Sequence, residues 1–102
     1  MKYITKHHFG GLSMRAVITV VGKDRTGIIA KISDTLYRHE VNIVDISQNV
    51  MEDMFAMVML VNIDHCTVEF NALADVLDRD GEALGMKIHT MHEDIFDAMH
   101  KV

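Results

Sequence analysis

Apolar and polar positions near the start of the regular pattern predict a strand followed by a helix. The mostly apolar stretch Ala16-Val17-Ile18-Thr19-Val20-Val21 is typical of a β-strand, and it ends at Gly22. After a short polar loop, apolar residues recur at helical spacing: Ile28, Ile29, Ile32 and Leu36. We therefore expect a helix that begins at Gly27-Ile28 and ends near His39.

The rest of the chain repeats this alternation of elements. The pattern predicts strands at 42–51, 54–61 and 86–91, a helix from about Thr67 to Leu84, and a short terminal helix at 94–100. Glu52-Asp53 is the expected hairpin turn, and Gly85 the left-handed residue after the second helix; a break at Gly81 inside that helix is possible. The order β-α-β-β-α-β predicts an α+β, ferredoxin-like fold, with two helices on one face of a four-stranded antiparallel sheet.

The third predicted strand is apolar at every position. Residues of both parities in 54–61 are apolar, although two helices can cover only one face of the sheet. The other face would expose a larger apolar patch than monomers usually tolerate. Either the terminal helix or a second subunit has to cover it, and edge strands such as 42–51 can also pair with a second copy. This pattern predicts a homodimer or a higher homo-oligomer.

The loop between the first strand and the first helix is the strongest candidate site. It reads Gly22-Lys23-Asp24-Arg25-Thr26-Gly27 and leads directly into Ile28. Amide groups at a helix N-terminus bind carboxylates or phosphates, because they lack partners and the helix dipole favours negative charge. Asp24 or Thr26 is also expected to cap the helix. A P-loop is excluded, since Ile28-Ile29 stands where Lys and Ser/Thr would be required.

Two segments resemble a known family. Gly22-Lys-Asp-Arg-Thr-Gly-Ile28 after the first strand, together with Asn42-Ile43-Val44-Asp45-Ile46 in the second, is similar to ACT domains, which are small-molecule-sensing regulatory modules. The resemblance spans about 14–93 and is closest to the short stand-alone ACT proteins of bacteria and archaea, the UPF0237 group. It implies a non-enzymatic module that binds an amino acid or a similar small carboxylate metabolite at a homodimer interface. The ligand-binding residues implied are Gly22, Asp24, Arg25, Thr26, Gly27 and Ile28, with Asn42 and Ile43 from the neighbouring subunit.

Composition sets broad limits on the function. The chain has 102 residues and a net charge of −5, which fits one domain and disfavours a nucleic-acid binder. No apolar run is long enough for a membrane span. Cys66 is the single cysteine, so an internal disulfide is impossible and a cytoplasmic location is expected. Residues 1–13 lack periodicity and are expected to be a disordered leader or an upstream-start artefact, with 14–102 as the domain.

No cofactor or metal is expected. His65 and Cys66 are adjacent, and His89 and His92 should point to opposite faces of a strand, so neither pair can chelate one ion well. Two other functions remain open. The chain could be a ligand-free interaction or dimerisation subunit of a metabolic regulator. Less favoured is a small acylphosphatase-like hydrolase, in which Arg25 would bind phosphate and Asn49 would orient water.

Overall fold

The computed structural model describes residues 14–100. The elements are β1 (Arg15–Lys23), α1 (Ile28–Arg38), β2 (Asn42–Met51), β3 (Met54–Asn62), α2 (Phe70–Leu84), β4 (Met86–His92) and α3 (Glu93–Met99). This order confirms the ferredoxin-like prediction. The expectation for residues 1–13 lies outside the described residues.

A four-stranded antiparallel sheet in the order β2-β3-β1-β4 forms the centre of the fold. Alternate residues of each strand point to α1 and α2, and these make the core with the buried faces of the helices. The buried strand residues on this side are Ala16, Ile18, Val20, Phe55, Met57, Met59, Val61, Met86 and Ile88. The methionines among them are packed core residues, which suits their flexible side chains.

One extra residue in β2 changes which of its side chains face the helices. Ile43 pairs with Val61, but Asp45 pairs with Leu60, so Val44 is a bulge. After the bulge, the residues opposite buried β3 positions have even numbers: Ile46, Gln48 and Val50. β2 is an edge strand and is exposed along most of its length.

Helix α2 differs from its prediction in where it begins and in having no break. It begins at Phe70 rather than near Thr67, and it continues through Gly81 without a break. Gly81 is required for packing, because a Cβ there would lie 2.7 Å from the Met86 carbonyl oxygen on β4. The predicted end is confirmed: Gly85 follows the helix in the left-handed conformation, with φ 72°.

The sheet face opposite α1 and α2 is only partly covered. Arg15 on this side donates to both carboxylate oxygens of Glu93, at 3.0 and 2.9 Å, which fixes the start of α3 against the sheet. Nearby Val17 is buried. Toward the β2–β3 hairpin the face stays open, and Val21 and Val58 are 44% and 41% exposed. The terminal helix therefore covers one end of the face and leaves the other end open.

Candidate functional site

The loop from β1 to α1 is held in place at its base by a close approach of two strands. Gly22 lies against the start of β4, where an added Cβ would meet the Met86 Sδ at 2.7 Å and the Gly85 oxygen at 2.9 Å. A main-chain hydrogen bond also holds the loop: the Asp24 N–H donates to the main-chain oxygen of Asp53 at 2.7 Å. The β2–β3 hairpin therefore positions the loop.

Arg25 holds the other side of the loop. Its guanidinium donates to the main-chain oxygen of Leu84, the last residue of α2, at 3.3 Å. This contact is favourable because the carbonyl end of a helix carries partial negative charge. A guanidinium has five N–H donors in total, so Arg25 can still bind an anion beside the loop.

The start of α1 differs from the prediction in one respect. Gly27 is the N-cap residue, with φ 90°, and no side chain caps the helix, so the expected cap by Asp24 or Thr26 is wrong. With the left-handed Gly27 as the N-cap residue, no side-chain cap hydrogen bond is made at the start of α1. The first intrahelical bond runs from the Lys31 N–H to the Gly27 oxygen. The amides of the first turn are therefore available to an acceptor from outside the helix.

An open cleft of about 310 Å³ lies beside this helix start. Four predicted site residues line it: Asp24, Arg25, Gly27 and Ile28. Gly22 and Thr26 do not line it, although both belong to the loop. The other walls come from residues that the sequence did not indicate: Ile29, Ala30, Gln48, Val50 and Phe55. The cleft thus combines amide donors and charged groups with apolar walls.

Asn42 and Ile43 lie elsewhere in the same chain. Asn42 lines a different open cleft, beside Tyr37 and Arg38 at the far end of α1, and Ile43 packs against the core. An 11-residue helix is ~16 Å long, so one chain cannot bring Asn42 to the start of α1. A second copy would have to supply these two residues.

The structure does not bring together the residues required for a hydrolase or for a metal site among residues 14–100. Asn49 pairs with Ala56 on the sheet face away from α1 and α2, whereas the cleft with Arg25 lies on the helix side. His89 is exposed on that open face, while the His92 ring stacks on Phe70 with centroids 3.9 Å apart. Among residues 14–100, no group of three or more His, Cys, Asp or Glu side chains could hold a metal ion.

Comparison with known proteins decides the family. A sequence model of the ACT domain family matches residues 14–91. The chain belongs to the ACT domain family.

Curated relatives of this ACT domain are similar along nearly their whole length. A UPF0237 protein of Methanocaldococcus jannaschii is 48% identical over 88 residues, which are 86% of this chain and 98% of the relative. A UPF0237 protein of Listeria innocua is 47% identical over 89 residues, 87% of this chain and 100% of the relative. These names include no enzymatic activity.

A solved structure gives the same fold. The ACT domain protein from Streptococcus pneumoniae superposes with a TM-score of 0.73 at 39% sequence identity, covering 86% of this chain and 99% of that one. In the described part of this ACT domain, no helix has both the length and the apolar character needed to cross a membrane. The resemblance inferred from the loop and from β2 is thereby confirmed.

Proposed function

We propose that this ACT domain is a non-enzymatic regulatory module that binds an amino acid or a similar small carboxylate metabolite. The observation that carries the proposal is the cleft at the start of α1. Its helix amides have no side-chain cap, and apolar side chains stand opposite them. A ligand carboxylate would accept hydrogen bonds from the amides of Gly27 and Ile28.

The remaining groups of the cleft fit the rest of an amino acid. Asp24 is exposed beside the helix start and would bind an amino group, while Arg25 would add a donor for the carboxylate. The walls formed by Ile28, Val50 and Phe55 favour an aliphatic side chain on the ligand. Gln48 is the polar group of the β2 wall.

A homodimer would complete the site. β2 is the edge strand of the sheet formed by residues 14–100 and can pair there with a second copy, and Asn42 and Ile43 from that copy would close the cleft. The loop is bonded to the hairpin at Asp53 and to the end of α2 at Leu84, so ligand binding would bias the position of both elements. A ligand that binds one arrangement better than another shifts the equilibrium between them, which regulation requires.

A thermal-shift screen of the full chain against amino acids and common carboxylate metabolites tests this function. A ligand at a hundred times its Kd stabilises the folded state by about 2.7 kcal/mol, because it binds only that state. We expect a selective hit that is lost in Asp24→Ala and in Asn42→Ala. The exposed residues Asp34 and Asn71 provide matched control variants, Asp34→Ala and Asn71→Ala, which should retain the hit.

A second pair of variants locates the ligand. Val50→Trp would fill the cleft and abolish binding, whereas Ile95→Trp, on α3 and similarly exposed (52% against 44%), would leave it intact. Binding that survives Val50→Trp would place the ligand elsewhere.

The second candidate is a ligand-free interaction subunit. The open sheet face and the free edge of β2 favour it, since both can bind protein. The absence of any hit in the screen would support this candidate. The hydrolase has less support, because Arg25 and Asn49 lie on opposite sides of the sheet. Turnover of an acyl phosphate by the purified chain, lost in Arg25→Ala, would contradict that judgement.

A further inference from the structure

A second cavity lies at the other end of the sheet from the cleft beside α1. Its volume is about 170 Å³, and it is formed where β1 begins, where β3 and β4 end and where α2 begins. A nine-residue strand such as β1 is ~30 Å long, so the cavity and the cleft are separate sites. Leu73 is fully buried. The other lining residues are partly exposed: Met14, Ile63, Cys66, Val68, Phe70 and His92.

The lining of this cavity is mostly apolar. Ile63, Val68 and Phe70 pack against the hydrophobic core. The His92 ring stacks on Phe70, with 3.9 Å between the ring centroids and 17° between the ring planes. Among residues 14–100, no Asp, Glu, Lys or Arg side chain lines the cavity. A charged ligand would lose hydration there without gaining a counter-charge, so the cavity favours a neutral ligand.

Main-chain hydrogen bonds hold the segment between β3 and α2, which forms much of the cavity wall. The Ile63 N–H donates to the Met14 oxygen at 2.8 Å, and the Cys66 N–H donates to the Ile63 oxygen at 3.2 Å. The Thr67 N–H donates to the oxygen of His39, at the end of α1, at 3.0 Å. Because these bonds already order the wall, a ligand would bind with little cost for ordering it.

We propose that this cavity binds a small neutral aromatic molecule. An apolar cavity of about 150 Å³ is large enough to bind benzene, and this cavity is slightly larger. A planar ring can pack on the stacked rings of Phe70 and His92, and the sulfur atoms of Met14 and Cys66 suit contact with an aromatic edge. The inference goes beyond the proposed function, because this site uses neither the β1–α1 loop nor β2 and selects against a carboxylate.

An NMR titration of the full chain with benzyl alcohol and with benzoate tests the site. We expect benzyl alcohol to bind with a Kd of about 1 mM, and benzoate at least ~10-fold more weakly because of its charge. Val68→Trp fills the cavity and should abolish binding. The matched control is Val76→Trp, because Val76 is also half-buried but lies on α2 outside the lining. Val50→Trp, which fills the other cleft, should also retain binding, and circular dichroism verifies that all three variants are folded.

A second measurement needs no substitution. Cys66 is the single cysteine of the chain and lines the cavity, so iodoacetamide modifies one position there. Benzyl alcohol at about ten times its Kd should slow this alkylation about tenfold, since it leaves only about one site in eleven empty, while free cysteine in the same solution should react as before. Equal affinity for benzoate would overturn the preference for a neutral ligand. No binding of benzyl alcohol, binding that survives Val68→Trp, or unchanged alkylation at saturation would overturn the site itself.

Discussion

Glu40 occupies a backbone conformation that suits glycine better. It has φ 60° and follows α1, where the Glu40 N–H donates to the Tyr37 oxygen and the Val41 N–H to the Leu36 oxygen. These two bonds form a Schellman motif, in which the left-handed residue after the cap is usually glycine. Val41 and Leu36 are both buried, so the motif also joins the helix end to the core.

Glu40→Gly should stabilise the protein, because glycine adopts this conformation without a steric penalty. We expect a gain of about 1 kcal/mol, partly offset by the greater freedom of glycine in the unfolded chain. Thermal unfolding of the full chain measures the change.

Gly85 provides the opposite experiment. Its φ is 72° and no atom lies near the position of an added Cβ, so Gly85→Ala changes the backbone preference alone. We expect a loss of about 1 kcal/mol. If both variants moved stability in the same direction, backbone conformation would not be the cause.

The two long helices are joined by a buried polar contact. The Thr35 hydroxyl donates to the Asp80 carboxylate, and both residues are buried between α1 and α2. The ammonium of Lys31 lies 4.0 Å from the other carboxylate oxygen, but its side chain is 45% exposed. The hydroxyl is therefore the main buried partner of this carboxylate among the contacts between the helices.

Thr35→Val should destabilise the fold, because it leaves one buried carboxylate oxygen without its hydrogen bond. We expect a loss of 1–3 kcal/mol, about the cost of an unsatisfied buried group. Lys31→Met should cost less than about 1 kcal/mol, since exposed ion pairs contribute little. Urea unfolding measures both, and equal losses in the two variants would contradict the assignment.

Most elements follow from the sequence, and the differences have local causes. The bounds of β2, β3 and α1 follow closely from apolar periodicity and from Gly27. β1 differs, because it continues through its predicted end at Gly22 to Lys23, and both residues pair with β3. The continuity of α2 through Gly81 could not be predicted, because the reason is the approach of β4, which is far away in sequence. The bulge at Val44 gives no signal either, because its neighbours are mixed in polarity.

At the scale of the whole molecule, an ion pair between Arg15 and Glu93 links α3 to the sheet. The side chains of Arg15 and Glu93 are only 12% and 9% exposed, and they pair through two parallel hydrogen bonds. A buried charge that loses its partner is strongly destabilising.

Glu93→Gln should lower the free energy of unfolding by about 3 kcal/mol, because it removes the carboxylate that accepts two hydrogen bonds from the largely buried Arg15 guanidinium. The double variant Arg15→Met with Glu93→Leu should recover most of the loss, since it removes both charges. The exposed pair Asp34–Arg38 serves as the control, and Asp34→Asn should change stability by less than about 0.5 kcal/mol. Chemical unfolding measures all three, and a double variant as unstable as Glu93→Gln would contradict the explanation.

Only the part of the candidate site that the β1–α1 loop and the start of α1 form could be predicted from the sequence. Asp24, Arg25, Gly27 and Ile28 line the cleft, as their place before a helix suggested. Gln48 and Val50 were missed, because strand alternation cannot assign a face to an exposed edge strand that contains a bulge. Pairing with β3 decides their orientation, and that is a long-range property of the fold.

The bulge in β2 absorbs one residue without changing the walls of the cleft. Ile43 and Asp45 pair with the adjacent β3 residues Val61 and Leu60, so the loss of the single codon for Val44 would leave a regular strand in the same register. Gln48 and Val50 would still face the helices, because their pairing with β3 would not change. Related genes can therefore gain or lose a codon at this position while the chemistry of the cleft is retained.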